Sequence, residues 1–408
     1  MRILLVNKFL CPKGGDAVSA VDTGRLLRAR GHKVVFWGMA HPQNPSYPQE
    51  EYFVPYVDLN GKIPLLGRLN TAVNVLYSFP ARANLGRLLK VRRPDIAHLH
   101  NIYHQISPSI LHSLKKRRIP VVMTLHDYKL ACASYSLLDK GRPCQACCGG
   151  RYYRCFLRGC VKGSRLKSLL NTIEMYLHHR LLRIYELVDV FIAPSRFLKA
   201  KLQEMGFKGR IVYLPNFLNL EEFGPRFEAE DNSIVYFGRL SQEKGLETLL
   251  SALRGLRLDL KIIGEGPLKE RLQARARQEG LSNVAFLGHK SGEALREEIG
   301  KARFVVLPSE CYENNPRSLI EAFALGKPAV AARIGGIPEL VRDNETGLTF
   351  AAGDIKDLRL KIGHLTANPD KIREMGKNAR AFVEQELNAQ RHYAQLLKIY
   401  DLARSRLI

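Results

Sequence analysis

No stretch of this 408-residue chain stays apolar for long enough to cross a bilayer. The longest apolar runs, 188-VDVFIAP-194 and 303-RFVVLP-308, are strand-sized, whereas a membrane-spanning helix needs roughly 20 residues. The opening MRILLVNKFL lacks the small-residue cleavage site of a secretory signal. It reads instead as the first strand of a cytoplasmic protein. The first βα loop has no GxGxxG fingerprint, which argues against a dinucleotide-dependent enzyme. There is no low-complexity segment, RNA-recognition motif, helix-turn-helix signature or aromatic-interleaved basic stripe, so no nucleic-acid partner is expected. Acidic residues are scarce, but only in one half. Residues 1–210 carry 34 Lys and Arg against 12 Asp and Glu, a balance of +22, and residues 211–408 carry 29 against 27, a balance of +2. Such an asymmetry points to an anionic partner for the first half, a membrane surface or a phosphorylated acceptor.

What is present alternates strands and helices. The strand 2-RILLVN-7, the loop 11-CPKGGDAVSA-20, a helix to Arg30 and the strand 33-KVVFWG-38 form a βαβ unit. Buried-strand patterns recur at 95-DIAHLH-100, 119-IPVVMTLHD-127 and 189-DVFIAPS-195. The second half repeats the plan with strands at 233–238, 259–264, 284–288, 304–309 and 328–332. The seam lies near 205–232, where glycines, Pro215 and an acidic stretch interrupt the pattern. The fold class expected is α/β, with two doubly wound domains, 1–210 and 211–387, facing a cleft at the carboxyl ends of their strands. An irregular insertion, 128–165, interrupts the first domain, and a terminal helix at about 388–408 is placed to pack back on it.

Two motifs in the second half carry chemistry. In 238-GRLSQEKG-245, Arg239 and Lys244 follow a strand and precede a helix, where a diphosphate would sit. In 313-ENNPRSLIE-321, Glu313 lies on a loop and Glu321 inside the helix that follows, so the pair can accept hydrogen bonds at two places along an extended ligand. The helix start between them, at Ser318 and Leu319, can receive phosphate.

With 264-GEGP-267, 308-PS-309, 326-GKPAVA-331, 335-GGIPELV-341, 14-GG-15, 126-HD-127, 194-PS-195 and 215-PN-216, these motifs stand in the order and spacing of a known family. The chain resembles the retaining family 4 glycosyltransferases over almost its whole length. The resemblance implies a GT-B fold, a nucleotide-diphosphate sugar donor (UDP- or GDP-linked) and no catalytic metal. It implies that Arg239 and Lys244 bind the diphosphate, Glu321 the ribose and Glu313 the donor sugar. Gly15 would let the backbone approach the donor phosphate, and Gly14, His126 and Asp127 would face the acceptor. His126, Arg239, Lys244 and Glu313 are the expected catalytic groups. The run Asn314-Asn315-Pro316 departs from the glycines and aromatic common in the family at that place.

The insertion holds six of the eight cysteines: Cys132, 144-CQACC-148 and 155-CFLRGC-160. Cys144 and Cys147 have the spacing of a zinc half-site, and Cys155 and Cys160 can supply the other two thiolates, with Cys148 and Cys132 as competitors. A structural zinc, a disulfide and free thiols all fit that spacing. A basic acceptor domain beside a near-neutral donor domain suits a peripheral enzyme on the inner face of the cell membrane, transferring a hexose-type sugar to a glycan or lipid-diphosphate acceptor. In the stretch 164–188 the apolar side is expected to pack on the sheet and the basic side to face the bilayer.

Overall fold

The computed structural model describes residues 1–58 and 65–405. The first of two six-stranded parallel sheets contains β1 (Arg2–Val6), β2 (Lys33–Trp37), β3 (Ile96–Leu99), β4 (Val121–Thr124), β5 (Val190–Ala193) and β6 (Ile211–Tyr213), in the order β6-β5-β4-β3-β1-β2. The second contains β7 (Ser233–Phe237), β8 (Asp259–Ile263), β9 (Val284–Gly288), β10 (Phe304–Leu307), β11 (Ala329–Ala332) and β12 (Gly347–Phe350), in the order β9-β8-β7-β10-β11-β12. Central strands such as β4 and β10 are buried at every position, as expected where helices cover both faces of a parallel sheet. The strands β6 and β12 are additional to those read from the sequence. β6 moves the domain boundary a few residues beyond 210, because Ile211–Tyr213 pairs with β5 of the first sheet. Three residues between Gly209 and Pro215 are too few to show a strand pattern.

The helices of the first half are α1 (Gly15–Ala29), α2 (Leu65–Leu76), α3 (Phe79–Val91), α4 (Ile110–Lys115), α5 (Tyr153–Arg158), α6 (Arg165–Tyr176) and α7 (Arg196–Glu204). Those of the second are α8 (Leu246–Leu253), α9 (Lys269–Gln278), α10 (Gly292–Lys301), α11 (Arg317–Ala324), α12 (Ile355–Thr366), α13 (Pro369–Glu386) and α14 (Ala389–Arg404). No helix among the described residues is long and apolar enough to cross a membrane. Side-chain caps fix several starts: Ser195 accepts from Leu198 N on α7, and Ser164 from Lys167 N on α6.

α6 is built opposite to expectation. Its inward face is mostly polar, with Ser168, Asn171, Thr172, Glu174 and Met175 buried, and Leu166, Leu169 and Ile173 point outward. Hydrogen bonds hold the inner face. Thr172 donates to the Tyr152 carbonyl, and Lys129 Nζ sits 2.7 Å from the Glu174 carboxylate. His178, just past the helix, bonds the Leu76 carbonyl at 2.6 Å.

The chain crosses between the halves twice. Leu218 N donates to the Leu387 carbonyl at the crossing, and Asn388 then caps α14. α14 returns to the first half, where Leu396, Ile399, Tyr400 and Ala403 join its core. The Tyr400 hydroxyl pairs with His98 Nδ1 at 2.8 Å, and the other ring nitrogen of His98 pairs with Thr124. Tyr400→Phe leaves a buried ring nitrogen without a partner. Urea denaturation should then show a loss of about 1–3 kcal/mol, the usual consequence of orphaning a buried polar group.

Candidate active site

Each sheet reverses its strand order at one place, and ligands bind outside the carboxyl ends of strands at such points. In the second sheet the reversal lies between β7 and β10. Gly238 and Arg239 follow β7, and Pro308 and Ser309 follow β10. These loops touch: a Cβ on Gly245 would stand 1.9 Å from the Pro308 carbonyl oxygen, and Gly245 has φ +68°. Only glycine fits both demands. A Cβ on Gly336 would meet the Asn314 oxygen at 1.8 Å, so the 335-GG-336 turn cradles the loop that carries Glu313.

On this frame Lys244 Nζ lies 2.5 Å from Glu313 Oε1, and Ser309 Oγ donates to the same oxygen at 2.6 Å. Burial disfavours charge on both partners, and their pairing outweighs it. The Glu313 carboxyl is held below its ordinary pKa and the Lys244 ammonium above. The sequence assigned these residues to different parts of a donor, whereas here they hold each other. Arg239 is exposed and has no ion-pair partner among the described residues. Pro316 is the N-cap of α11, so Glu321 lies about one turn inside. Burial raises the Glu321 pKa, against the charge of Arg317. Ser318 and Leu319 occupy the first turn of α11, and the Leu319 N–H is already bonded to the Pro316 carbonyl.

In the first sheet the reversal lies between β1 and β3. Gly14, with φ +106°, turns the chain into α1, and Gly15 opens that helix facing the Arg317 side chain. His126 and Asp127 follow β4. His126 Nε2 pairs with His100 Nδ1 at 2.9 Å, and the two rings stack. Burial lowers the His126 pKa to about 4, with Asp16 pulling the other way, so the ring is neutral near pH 7. Burial lifts Asp127 to about 6, opposed by the Lys129 N–H that it accepts and by the charge of Lys8.

Five residues belong to this cleft that the sequence did not single out. Arg317 pairs with Asp22 of α1 at 2.8 Å and lies 3.8 Å from Glu321, so it bridges the domains. Asp16 accepts from Asn101 Nδ2 at 2.9 Å, and His100 supports His126. The available signal was weak. Arg317 stands four residues before Glu321 in the glutamate motif, and His100 ends a strand pattern.

The loop Glu313–Pro316 also joins the domains. Asn314 accepts from Ser195 Oγ at 2.7 Å and donates to the Leu125 carbonyl at 3.1 Å. Asn315 pairs with Asn216. Nearby, the Glu339 carboxylate accepts the Arg196 and Phe197 N–H groups, both at 2.8 Å.

Cys132, Cys144, Cys147, Cys155 and Cys160 line one small cavity in the insertion. The donor set suits zinc in chemistry but not in spacing. Among the described residues no three His, Cys, Asp or Glu stand closely enough to hold an ion. Instead Cys155 and Cys160 share a hydrogen bond that raises the pKa of Cys155 and lowers that of Cys160, and Arg158 reaches the Cys144 sulfur at 3.6 Å.

Two Rossmann-like domains with a cation-bearing cleft between them define the GT-B architecture. A Glycosyltransferase Family 4 model matches residues 13–222, and a Glycosyl transferases group 1 model matches residues 220–382. The chain belongs to Glycosyltransferase Family 4. It is 29% identical to an uncharacterized glycosyltransferase of Methanocaldococcus jannaschii, over 48% of this chain and 54% of that protein. It is 26% identical to an uncharacterized 42.6 kDa protein in the cps region of Klebsiella pneumoniae, over 84% and 88%. The chain spans about half the length, or less, of several curated relatives that it matches. Sucrose-phosphate synthase of Thermosynechococcus elongatus superposes with a TM-score of 0.73 at 21% identity, covering 98% of each chain. Anabaena Alr3699/HepE in complex with UDP-glucose gives 0.68 at 18%, covering 98% of this chain and 99% of that one.

The buried histidines give the first domain an acid limit. His98 is pushed down to about 3, and His104 and His126 to about 4, in each case chiefly by burial. An unfolded histidine titrates near 6.5. The stabilisation from keeping these rings neutral is therefore full above pH ~6.5 and is lost as pH falls toward ~4. Urea midpoints should hold between pH 8 and 7 and fall steadily below ~6.5.

Proposed function

We propose that this protein is a retaining glycosyltransferase. It moves a hexose-type sugar from a UDP- or GDP-linked donor to a hydroxyl of a lipid-linked glycan at the cytoplasmic face of the cell membrane, in surface polysaccharide synthesis. The observation that supports this reading is the Lys244–Glu313 pair at the sheet switch point, tied through Asn314 to the Leu125 carbonyl, one residue before His126, with Arg317 joining Glu321 to Asp22 of the facing domain. The UDP-glucose in the Anabaena neighbour supports a nucleotide-sugar donor. The cps-region relative supports a polysaccharide product.

Breaking the sugar–phosphate bond places negative charge on the departing diphosphate. The exposed Arg239 guanidinium can grip two phosphate oxygens. Lys244 has three N–H donors, and Glu313 and Ser309 define where one of them points, so two remain for phosphate. Glu313 keeps its second oxygen for sugar hydroxyls, and Glu321 reaches the ribose. His126, neutral and braced by His100, offers the donor sugar and acceptor a hydrogen bond without a charge. No carboxylate is assigned as a covalent nucleophile. The acceptor hydroxyl attacks the face that the leaving group departs from and gives its proton to the departing phosphate. This retains the anomeric configuration.

A donor is found by thermal shift with a panel of sugar nucleotides, since a bound ligand raises stability. Arg239→Ala and Lys244→Ala should each cut turnover of that donor by about 10²–10³-fold, the usual loss when one charged contact to a developing anion is removed. Near-wild-type turnover in both would remove the diphosphate assignment. Glu321→Ala should chiefly weaken binding of the nucleoside diphosphate, measured by calorimetry.

A structural zinc on Cys144, Cys147, Cys155 and Cys160 is a separate proposal, and it requires their sulfurs to draw together. Elemental analysis should find about one zinc per chain, lost in the Cys144→Ser/Cys147→Ser variant together with a fall in melting temperature. A metal-free chain at full stability would leave a disulfide or free thiols, which thiol titration of the unfolded chain separates.

A further inference from the structure

Between Arg165 and Leu181 the chain turns four large apolar side chains to solvent. Leu166 is 77% exposed, Leu181 76%, Ile173 45% and Leu169 37%. Spacings of three, four and seven residues put the helical members on one face. This is not a core helix turned the wrong way. The opposite face carries the Glu174 carboxylate, which sits on Lys129, and His178, bonded to Leu76, and neither group could be moved to solvent without leaving a buried partner unpaired. Neighbouring α2 packs alongside α6 and adds Leu69 and Val73, 73% and 45% exposed.

The charges around this face have one sign. Arg165 and Lys167 are exposed on α6, and Glu174, the sole acidic residue from 161 to 185, is buried. A second protein surface would need an apolar patch ringed by acids. An anionic bilayer offers both features in one layer, with acyl chains below a sheet of phosphates.

We infer that the outward face of α6, extended by Leu181 and by α2, lies in the interfacial layer of an anionic membrane, with the helix parallel to the membrane plane. The inner face then fixes the orientation of the cleft. Glu174 holds Lys129 Nζ at 2.7 Å, and the Lys129 N–H donates to Asp127 at 2.9 Å, next to His126. The acceptor side of the cleft therefore lies a helix thickness, ~10 Å, plus the length of the Lys129 side chain from the lipid, within reach of a phosphorylated glycan headgroup standing out of the bilayer. That last step rests on the transferase reading; the docking itself does not.

The test is flotation of the full chain with vesicles of phosphatidylcholine alone or mixed with phosphatidylglycerol. The wild type should bind the mixed vesicles and release them in high salt. Leu166→Gln/Ile173→Gln/Leu181→Gln should lower the bound fraction about tenfold or more, and Arg165→Gln/Lys167→Gln should flatten the salt dependence. Both variants should keep the wild-type melting temperature, because these side chains make few contacts inside the protein. Binding that survives the leucine substitutions overturns the inference. So does a wild type that ignores both vesicles and sediments as a dimer that the same substitutions dissociate, which would assign the face to a second copy. Thermal shift with sugar nucleotides separates the two readings. Leucine-dependent vesicle binding with no response to any donor removes the transferase and leaves the docking face. A donor response without vesicle binding does the reverse.

Discussion

A carboxylate and an ammonium held together at a sheet switch point organise this cleft. Glu313 and Lys244 come from loops after different strands, and each would resist ionisation in its partly buried place without the other. Together they form a dipole whose positive end has unused donors. Because Ser309 also binds Glu313, the pair sits in one orientation. Glycine at 245 and at 336 lets the supporting backbones come close enough to keep it there. A ligand that met either charge alone would have to reorganise the site; one that brings phosphate and hydroxyls together finds both partners set.

The same loop ties the pair to the facing domain. Asn314 reaches Ser195 and the Leu125 carbonyl, one residue before His126, and Asn315 reaches Asn216. The Asn-Asn-Pro run, which departs from the pattern common in the family, thus has a physical role as an interdomain contact. Arg317 extends it to Asp22. Movement of one domain against the other must break or rearrange bonds that lie within a few residues of Glu313, so the state of the cleft and the geometry of the Lys244–Glu313 pair are mechanically linked.

Much of this was legible in the sequence because buried parallel strands are continuous apolar runs and because glycines mark the places where loops touch. Ten of the twelve sheet strands could be read in that way. β6 could not, since three residues beside Pro215 make no run. Arg317, Asp16 and His100 escaped because their importance comes from what lies across the cleft, and spacing along the chain carries no trace of it. α6 misled for a different reason. An amphipathic pattern says that two faces differ, not which one turns inward, and here Lys129 from a distant loop decides the matter by burying Glu174.

The return of α14 to the first domain has a consequence for how the protein is made. Leu396, Ile399 and Tyr400 complete the first core, yet they follow the whole second domain in the chain. The first domain can collapse early, but His98 waits for its tyrosine until the second domain, whose whole core precedes α14, has been made. Nascent chains should thus be most vulnerable to proteases in the half made first. The two crossings between the halves run side by side, paired at Leu218 and Asn388, so the domains are joined by two strands of chain instead of one.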